Sequence, residues 1–206
     1  MLEASGLQCV RGERTLFRNL DFRLDVGSLL HVGGPNGSGK TSLLRIVCGL
    51  SAPDDGELRW RGAPMRTVRE DYWRHLLYVG HASALKDDLS ALENLRFAGA
   101  LAGLDAAVER CQAALAQFGI AHCAHLPTRV LSQGQRRRVS LARLGLATRG
   151  GLWVLDEPFS ALDAGAVDQM RQLIETQLAN DGAVIYTTHQ DVAIAAAVRQ
   201  TVRLGG

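Results

Sequence analysis

A glycine-rich segment that ends in a lysine and a hydroxyl residue could bind the phosphate groups of a nucleotide. It fits the pattern Gly, any four residues, Gly, Lys, then Ser or Thr, and it comprises Gly34, Pro35, Asn36, Gly37, Ser38, Gly39, Lys40 and Thr41. Glycines let successive backbone N–H groups point at a triphosphate without clashes from Cβ atoms. We expect Lys40 to bridge the β- and γ-phosphates and the Thr41 hydroxyl to bind Mg²⁺.

The residues on either side predict the strand and the helix that such a loop needs. Residues 28–32 form a short apolar run typical of a buried strand, and residues 40–50 place their apolar side chains on one helical face. The start of that helix would add the positive end of its dipole to the phosphate site. The alternative, an ordinary turn with a chance lysine, does not require this context.

Two adjacent carboxylates follow a second apolar segment. Residues 151–155 predict a central strand buried on both faces, and Asp156 and Glu157 come directly after it. Ligands bind at the carboxyl ends of strands in open α/β sheets. We expect Asp156 to hold Mg²⁺, directly or through water, and Glu157 to polarise the water that attacks the γ-phosphate. The alternative is a solvated strand end.

A serine and a glycine directly before another predicted helix form a second candidate anion site. The segment is Leu131, Ser132, Gln133, Gly134 and Gln135. It would present a hydroxyl, free N–H groups and a helix dipole to an anion. Because the first loop already surrounds one side of a nucleotide, this segment would most simply serve the nucleotide of another subunit. An N-capped helix without a ligand is the alternative, and the pentapeptide alone would favour it.

Length, charge and cysteine content exclude several classes of protein. The 206 residues carry a formal net charge of +2, which gives no electrostatic footprint for nucleic acid. The four cysteines form no C-x-x-C pair, so we expect reduced thiols in a cytosolic protein. No apolar segment has the length of a signal-peptide core or a membrane span, so we expect the chain not to enter a membrane by itself.

Hydrophobic periodicity predicts two kinds of sheet. Alternating patterns at 2–10, 19–26 and 57–61 indicate a small antiparallel sheet beside the nucleotide strand. Apolar strands that alternate with helices then predict a mostly parallel α/β sheet. Its strands are predicted at 28–32, 76–80, 151–155, 183–188 and 201–204.

The middle of the chain predicts a helical insertion within one domain. Strand signals vanish between about 82 and 130, where 89–101 and 106–118 have the pattern of amphipathic helices. The predicted organisation is a core with a β subdomain, about 1–81 and 131–206, and a helical subdomain, about 82–130. Residues 191–198 predict a further short helix.

The order of these motifs resembles that of an ATP-binding cassette ATPase over essentially the whole chain. The motifs are the phosphate loop, the strand end at His81, LSQGQ at 131–135, VLDEP at 154–158, SALD at 160–163 and TTH at 187–189. The resemblance implies an α/β fold of the P-loop NTPase type, with a mostly parallel central sheet, an antiparallel β subdomain and a helical insertion. It also implies that the protein binds ATP and Mg²⁺.

The resemblance assigns further roles at matching positions. Ser132 and Gly134, with Gln135 beside them, would contact the γ-phosphate across a head-to-tail dimer of two copies that sandwiches two ATP molecules. Asp163 would belong to the loop that crosses the dimer interface near the nucleotide. His189 would hold the γ-phosphate and the attacking water.

Departures from the family pattern occur at three positions. Gln133 replaces a glycine, and Arg11 occupies the slot of an aromatic residue that stacks on adenine, where a guanidinium plane could also stack. His81 replaces a glutamine that touches Mg²⁺ and water, so we expect it to act at the metal and in catalysis. Because imidazole can change charge at physiological pH, coupling through His81 would be pH-sensitive. The run Arg136–Arg138 predicts a partly solvated helix face.

Four short segments resemble one subfamily, the ATP-binding subunit of the haem exporter of bacterial cytochrome c maturation. They are residues 14–17, 78–81, 91–95 and 187–190. This resemblance implies a peripheral location at the cytoplasmic face of the inner membrane, with integral membrane B- and C-subunits as partners and no nucleic acid. ATP hydrolysis would drive haem export or release of a haem-loaded chaperone. The alternatives are the ATPase of a lipid, peptide or nutrient transporter, or a non-transport cassette protein.

Overall fold

The computed structural model describes residues 1–147 and 150–205. The strands are β1 (Leu2–Arg11), β2 (Arg14–Leu24), β3 (Ser28–Gly33), β4 (Asp55–Trp60), β5 (Ala63–Pro64), β6 (Leu76–Val79), β7 (Gly151–Leu155), β8 (Gly182–Tyr186) and β9 (Val198–Arg203). The α-helices are α1 (Lys40–Val47), α2 (Arg69–Arg74), α3 (Ala91–Leu101), α4 (Val108–Gln117), α5 (Gln133–Leu141) and α6 (Ala164–Ala179). Short 3₁₀ turns span Met65–Thr67, Ala121–Cys123, Thr128–Val130 and Ala142–Leu146.

A five-stranded parallel sheet carries the predicted phosphate loop and carboxylates. Its strand order is β6-β7-β8-β3-β9. β7 and β8 lie inside the sheet and are almost wholly buried, as their continuous apolar sequences predicted. The loop follows β3 and the carboxylates follow β7, so the parallel arrangement brings both to the same edge.

The two faces of this sheet build two apolar cores. Successive strand residues point to opposite faces, so Trp153 and Leu155 enter one core while Leu152 and Val154 enter the other. The first core also contains buried residues of α3, α4, α5 and α6. The second contains those of α1 and of the antiparallel sheet. The helical insertion is thus packed on the sheet.

The antiparallel sheet has the strand order β2-β1-β4-β5. Leu2 pairs with Leu24 on one side and with Trp60 on the other, and all three side chains are buried. This buried row fixes the register of β1, β2 and β4 at this end of the sheet, because a slip by one residue would turn its side chains outward. The mostly parallel sheet, the antiparallel sheet and the helical insertion were all predicted correctly.

Several predicted elements were wrong in type or extent. Residues 191–197 form no helix. Val198 instead begins edge strand β9, where backbone pairing with β3 overrides the local helical pattern. The helix predicted from Gln135 ends at Leu141 and continues as a 3₁₀ turn. Helix α2 was missed, and β2 begins at Arg14 rather than at Asn19.

None of the described helices combines the length and the apolar character that crossing a bilayer would need.

Packing of the helical insertion can be tested with two leucines. Leu115 in α4 is fully buried, whereas Leu101 at the end of α3 is 74% exposed. We expect Leu115→Ala to lower the free energy of unfolding by about 2–5 kcal/mol, because it removes buried contacts and leaves a cavity. Leu101→Ala should change it by about 0.5 kcal/mol or less. Urea unfolding followed by circular dichroism measures both, and equal losses would contradict this packing.

The half-buried His31 in β3 predicts an acid-sensitive stability. Its ring packs on Tyr186 with 5.1 Å between centroids. Burial lowers the pKa of His31, partly offset by a backbone hydrogen bond with Thr188. As pH falls, the His31 ring therefore becomes protonated in the unfolded chain before it does so in the native protein. The free energy of unfolding consequently decreases as pH drops below about 6.5, the ordinary pKa of histidine. Between about pH 7.5 and 5.5, the free energy of unfolding measured by urea titration should decrease less for His31→Gln than for wild type. Parallel pH profiles would contradict this.

Candidate active site

The phosphate loop joins β3 to α1 in a conformation that requires glycine. Gly34 has φ 142°, and a Cβ there would lie 2.5 Å from the carbonyl oxygen of Leu204 and 2.7 Å from Ser38 Oγ. Gly39 has φ 102° and forms the N-cap of α1. The buried Ser38 Oγ has no hydrogen-bond partner among the described residues. The loop therefore offers backbone N–H groups, a hydroxyl and a helix N-terminus to an anion.

Lys40 lies between the loop and His189. Its Nζ donates to the carbonyl oxygens of Gly34 at 2.8 Å and of Pro35 at 3.1 Å, and it lies 3.5 Å from His189 Nε2. The ammonium group is therefore held at the mouth of the loop, where it can exchange a backbone carbonyl for a phosphate oxygen.

Asp156 connects three elements at the sheet edge. Thr41 Oγ1 donates to Asp156 Oδ2 at 3.0 Å, and Thr187 Oγ1 donates to Asp156 Oδ1 at 2.9 Å. Asp156 is 2% exposed, so these hydroxyls replace water around a buried carboxylate.

The pair of Thr41 and Asp156 fits Mg²⁺, which prefers hard oxygen ligands. Residues 1–147 and 150–205 contain no group of three or more His, Cys, Asp or Glu side chains that could hold a metal ion. An ion here would therefore complete its coordination with substrate oxygens and water, as Mg²⁺ does in phosphoryl-transfer sites.

Glu157 combines an unusual backbone with an available carboxylate oxygen. Its φ is 52°, in the left-handed region. The Glu157 N–H donates to Thr187 Oγ1 at 2.9 Å. Its Oε1 is buried without a hydrogen-bond partner in the described structure and lies 3.6 Å from His189 Nε2. This oxygen is placed to accept a hydrogen bond from water.

One cavity of about 610 Å³ unites most of the predicted site. The predicted residues that line it are Asn36, Gly37, Gly39, Lys40, Thr41, His81, Asp156, Glu157 and His189. Three other residues also line it: Leu16 and Ser42, for which the sequence predicted no role, and Ser160, which was predicted only as the first residue of the SALD motif at 160–163. Ser42 directly follows the phosphate loop and Ser160 begins the SALD motif, and these positions could have assigned both residues to the cavity. Leu16 belongs to β2 of the antiparallel sheet, and only the tertiary structure shows that it lines the cavity.

The segment 132–135 does not line this cavity. Ser132 N-caps α5, since its Oγ accepts from the Gln135 N–H at 3.3 Å and Gln135 Oε1 accepts from the Ser132 N–H at 2.9 Å. A Cβ on Gly134 would lie 3.1 Å from the carbonyl oxygen of Ala161. The segment is thus a reciprocally capped helix start apart from its own phosphate loop.

Two further predicted residues lie outside the cavity lining. Arg11 donates to the carbonyl oxygen of Val10 at 2.8 Å and lies 3.8 Å from Asp54, so its guanidinium is engaged at the end of β1. Asp163 N-caps α6 by accepting from the Ala166 N–H at 2.9 Å, and it also pairs with Arg138. Neither contact supports a role at the nucleotide within one protomer.

The prediction of a solvated face for Arg136–Arg138 was wrong for Arg137. Arg137 is 4% exposed and donates to four backbone carbonyls at the ends of β6 and β7. Helical spacing places it on the same face as the buried Leu141 and Leu144, a signal that could have identified it.

The chain is similar to known proteins that contain the same motifs. The ABC transporter family model matches residues 17–160. A cytochrome c biogenesis ATP-binding export protein CcmA from Nitrosomonas europaea is 54% identical over 94% of this chain and 91% of its own. The protein of the same name from Aromatoleum aromaticum is 55% identical over 95% and 91%.

A solved bacterial ABC transporter cassette, described as a dimer, has the same fold. It is 27% identical, covers 92% of this chain and 88% of its own, and superposes with a TM-score of 0.77. The chain therefore belongs to the ABC transporter family, in the group of cytochrome c biogenesis ATP-binding export proteins.

Proposed function

We propose that the protein is the ATP-hydrolysing subunit of an ABC exporter that serves cytochrome c biogenesis. The observation that carries the proposal is the convergence of Lys40, Thr41, Asp156, Glu157 and His189 on one cavity at the carboxyl edge of the parallel sheet. Each has the chemistry that cleavage of a γ-phosphate needs.

The geometry supports a division of roles. The loop N–H groups and Lys40 would bind the triphosphate. Mg²⁺ held by Thr41 and Asp156 would neutralise charge on the β- and γ-phosphates. Glu157 Oε1 would orient and polarise the attacking water. His189 Nε2 lies 3.5 Å from Lys40 Nζ and 3.6 Å from Glu157 Oε1, so its ring can hold the γ-phosphate and the water together.

We further propose that two copies form a head-to-tail dimer. Ser132, Gly134 and Gln135 lie apart from their own cavity but expose a helix start, which suits the γ-phosphate of a partner's ATP. Asp163 would lie at that interface. The dimer described for the related bacterial cassette supports this arrangement.

The partner and the location are proposed from the resemblance of four sequence segments to the haem-exporter subunit, and the relatives' names support a role in export for cytochrome c biogenesis. Membrane B- and C-subunits would hold the protein at the cytoplasmic face of the inner membrane, with export of haem or release of a haem-loaded chaperone as the driven step. Residues 82–130, the proposed helical subdomain, would transmit the motion of the dimer. Affinity purification from detergent-solubilised membranes should recover polytopic subunits together with haem absorbance. Recovery of a lipid, peptide or nutrient permease instead would overturn this assignment.

Glu157→Gln tests the hydrolytic role. The amide cannot act as a base, so we expect turnover to fall by about 10²–10⁴-fold while ATP still binds and an ATP-bound dimer accumulates. Phosphate release, nucleotide titration and light scattering measure the three effects. Glu109→Gln, an exposed position at the start of α4, is the matched control and should behave as wild type. Unchanged hydrolysis would remove Glu157 from this role.

His81→Ala tests the second residue after β6. Because His81 lines the cavity but lies outside the phosphate loop, we expect turnover to fall more than ATP affinity. The control is His122→Ala, an exposed histidine in the 3₁₀ turn Ala121–Cys123. Equal losses of affinity and turnover would count against a separate catalytic contribution.

A further inference from the structure

The buried guanidinium of Arg137 forms hydrogen bonds with backbone carbonyl groups that follow two neighbouring strands. Arg137 Nη1 donates to the carbonyl oxygens of Gly80 at 2.8 Å and His81 at 3.3 Å. Its Nη2 donates to those of Asp156 at 2.9 Å and Glu157 at 2.8 Å. Gly80 follows β6 and Asp156 follows β7, so one planar fork spans the gap between the two strand ends.

Arg137 carries a charge that is buried in the protein interior. Arg137 is 4% exposed, and it forms no salt bridge within the described residues. Burial lowers the pKa of its guanidinium, which reflects the cost of removing the charge from water. An apolar side chain of similar size would avoid that cost. What it could not provide is a rigid set of donors aimed at four carbonyls.

The backbone that Arg137 contacts includes the left-handed residue Glu157. A glutamate with φ 52° is strained, and such residues persist where the surroundings over-determine them. Thr187 Oγ1 accepts from the Glu157 N–H, and Arg137 donates to the Glu157 carbonyl. The peptide groups on both sides of the Glu157 side chain are therefore fixed, which directs its carboxylate into the cavity.

Arg137 also connects the site to the helix that starts at Ser132. Ser132 N-caps α5, and Arg137 lies in the second turn of the same helix. We propose that Arg137 is a positioning residue that holds Glu157 and His81 in register and makes their placement depend on the position of α5. This inference rests on the proposed function and deepens it. Contact of Ser132 with a partner's nucleotide would thereby change the positions of Glu157 and His81 in the same protomer.

Arg137→Lys and Arg137→Ala separate positioning from binding. Lysine keeps the charge but its single ammonium cannot span both strand ends. We expect turnover to fall by about 100-fold in both variants, because small misplacement of reacting groups has effects of that size. ATP affinity should stay within about threefold, since the phosphate loop is not contacted. The control is Arg136→Gln on the same helix, which bonds to the Thr128 carbonyl and Asp87 and should keep wild-type turnover.

Chemical rescue distinguishes a positioning role from a folding defect. Millimolar guanidinium added to Arg137→Ala should restore part of the turnover with no change in its unfolding midpoint. In a Glu157→Gln background, Arg137→Lys should leave the ATP-bound dimer intact, because dimer formation does not require hydrolysis. Turnover that falls only with the folded fraction, or loss of that dimer, would overturn the proposal. A further outcome separates this inference from the proposed function. If wild type hydrolyses ATP and Glu157→Gln does not, the proposed function stands. Normal turnover of the Arg137 variants in that case would then contradict only the positioning role of Arg137.

Discussion

The hydrogen-bonded chain Thr187–Asp156–Thr41 is the interaction on which the site depends. It joins the end of β8, the end of β7 and the first turn of α1 through one buried carboxylate. Breaking either hydroxyl contact would leave a buried charge without its partner, which costs more than the hydrogen bond itself contributes. The same chain orients the oxygens that suit Mg²⁺, so one set of contacts serves both the fold and the chemistry.

The parallel sheet explains why these groups can meet. Because β3, β7 and β8 run in the same direction, the residues that follow each of them arrive at one edge. The alternation of side chains along β7 anchors the helical insertion on one face and the antiparallel sheet on the other. Displacement of either layer would therefore shift the positions of Asp156 and Glu157, which directly follow β7. The start of α5 at Ser132 and Gln133 is exposed, whereas the rest of that helix is partly or wholly buried.

Charged contacts in the protein divide into two classes. Surface pairs such as Arg23 with Asp25 lie in water, where solvent and salt screen their attraction. Arg137 is instead buried among carbonyls at the strand ends, where its donors have no competing solvent. Its neighbours Arg136 and Arg138 are bound to the helical insertion and to Asp163. A run of three arginines thus divides among three environments, which composition alone does not reveal.

The sequence by itself determined the phosphate loop, the carboxylate pair after β7 and the helical start at Ser132, because glycine geometry, strand burial and capping are local properties. It also predicted both sheets, since hydrophobic periodicity reports which faces are buried. It did not determine that residues 191–197 are not helical, that Leu16 lines the cavity, or that the Arg11 guanidinium lies near Asp54. These outcomes depend on pairing between β9 and β3 and on packing between separate layers. Helical spacing indicates that Arg137 points inward, but only the tertiary structure decided what it contacts, because its four acceptors come from strand ends more than 18 residues away in the chain.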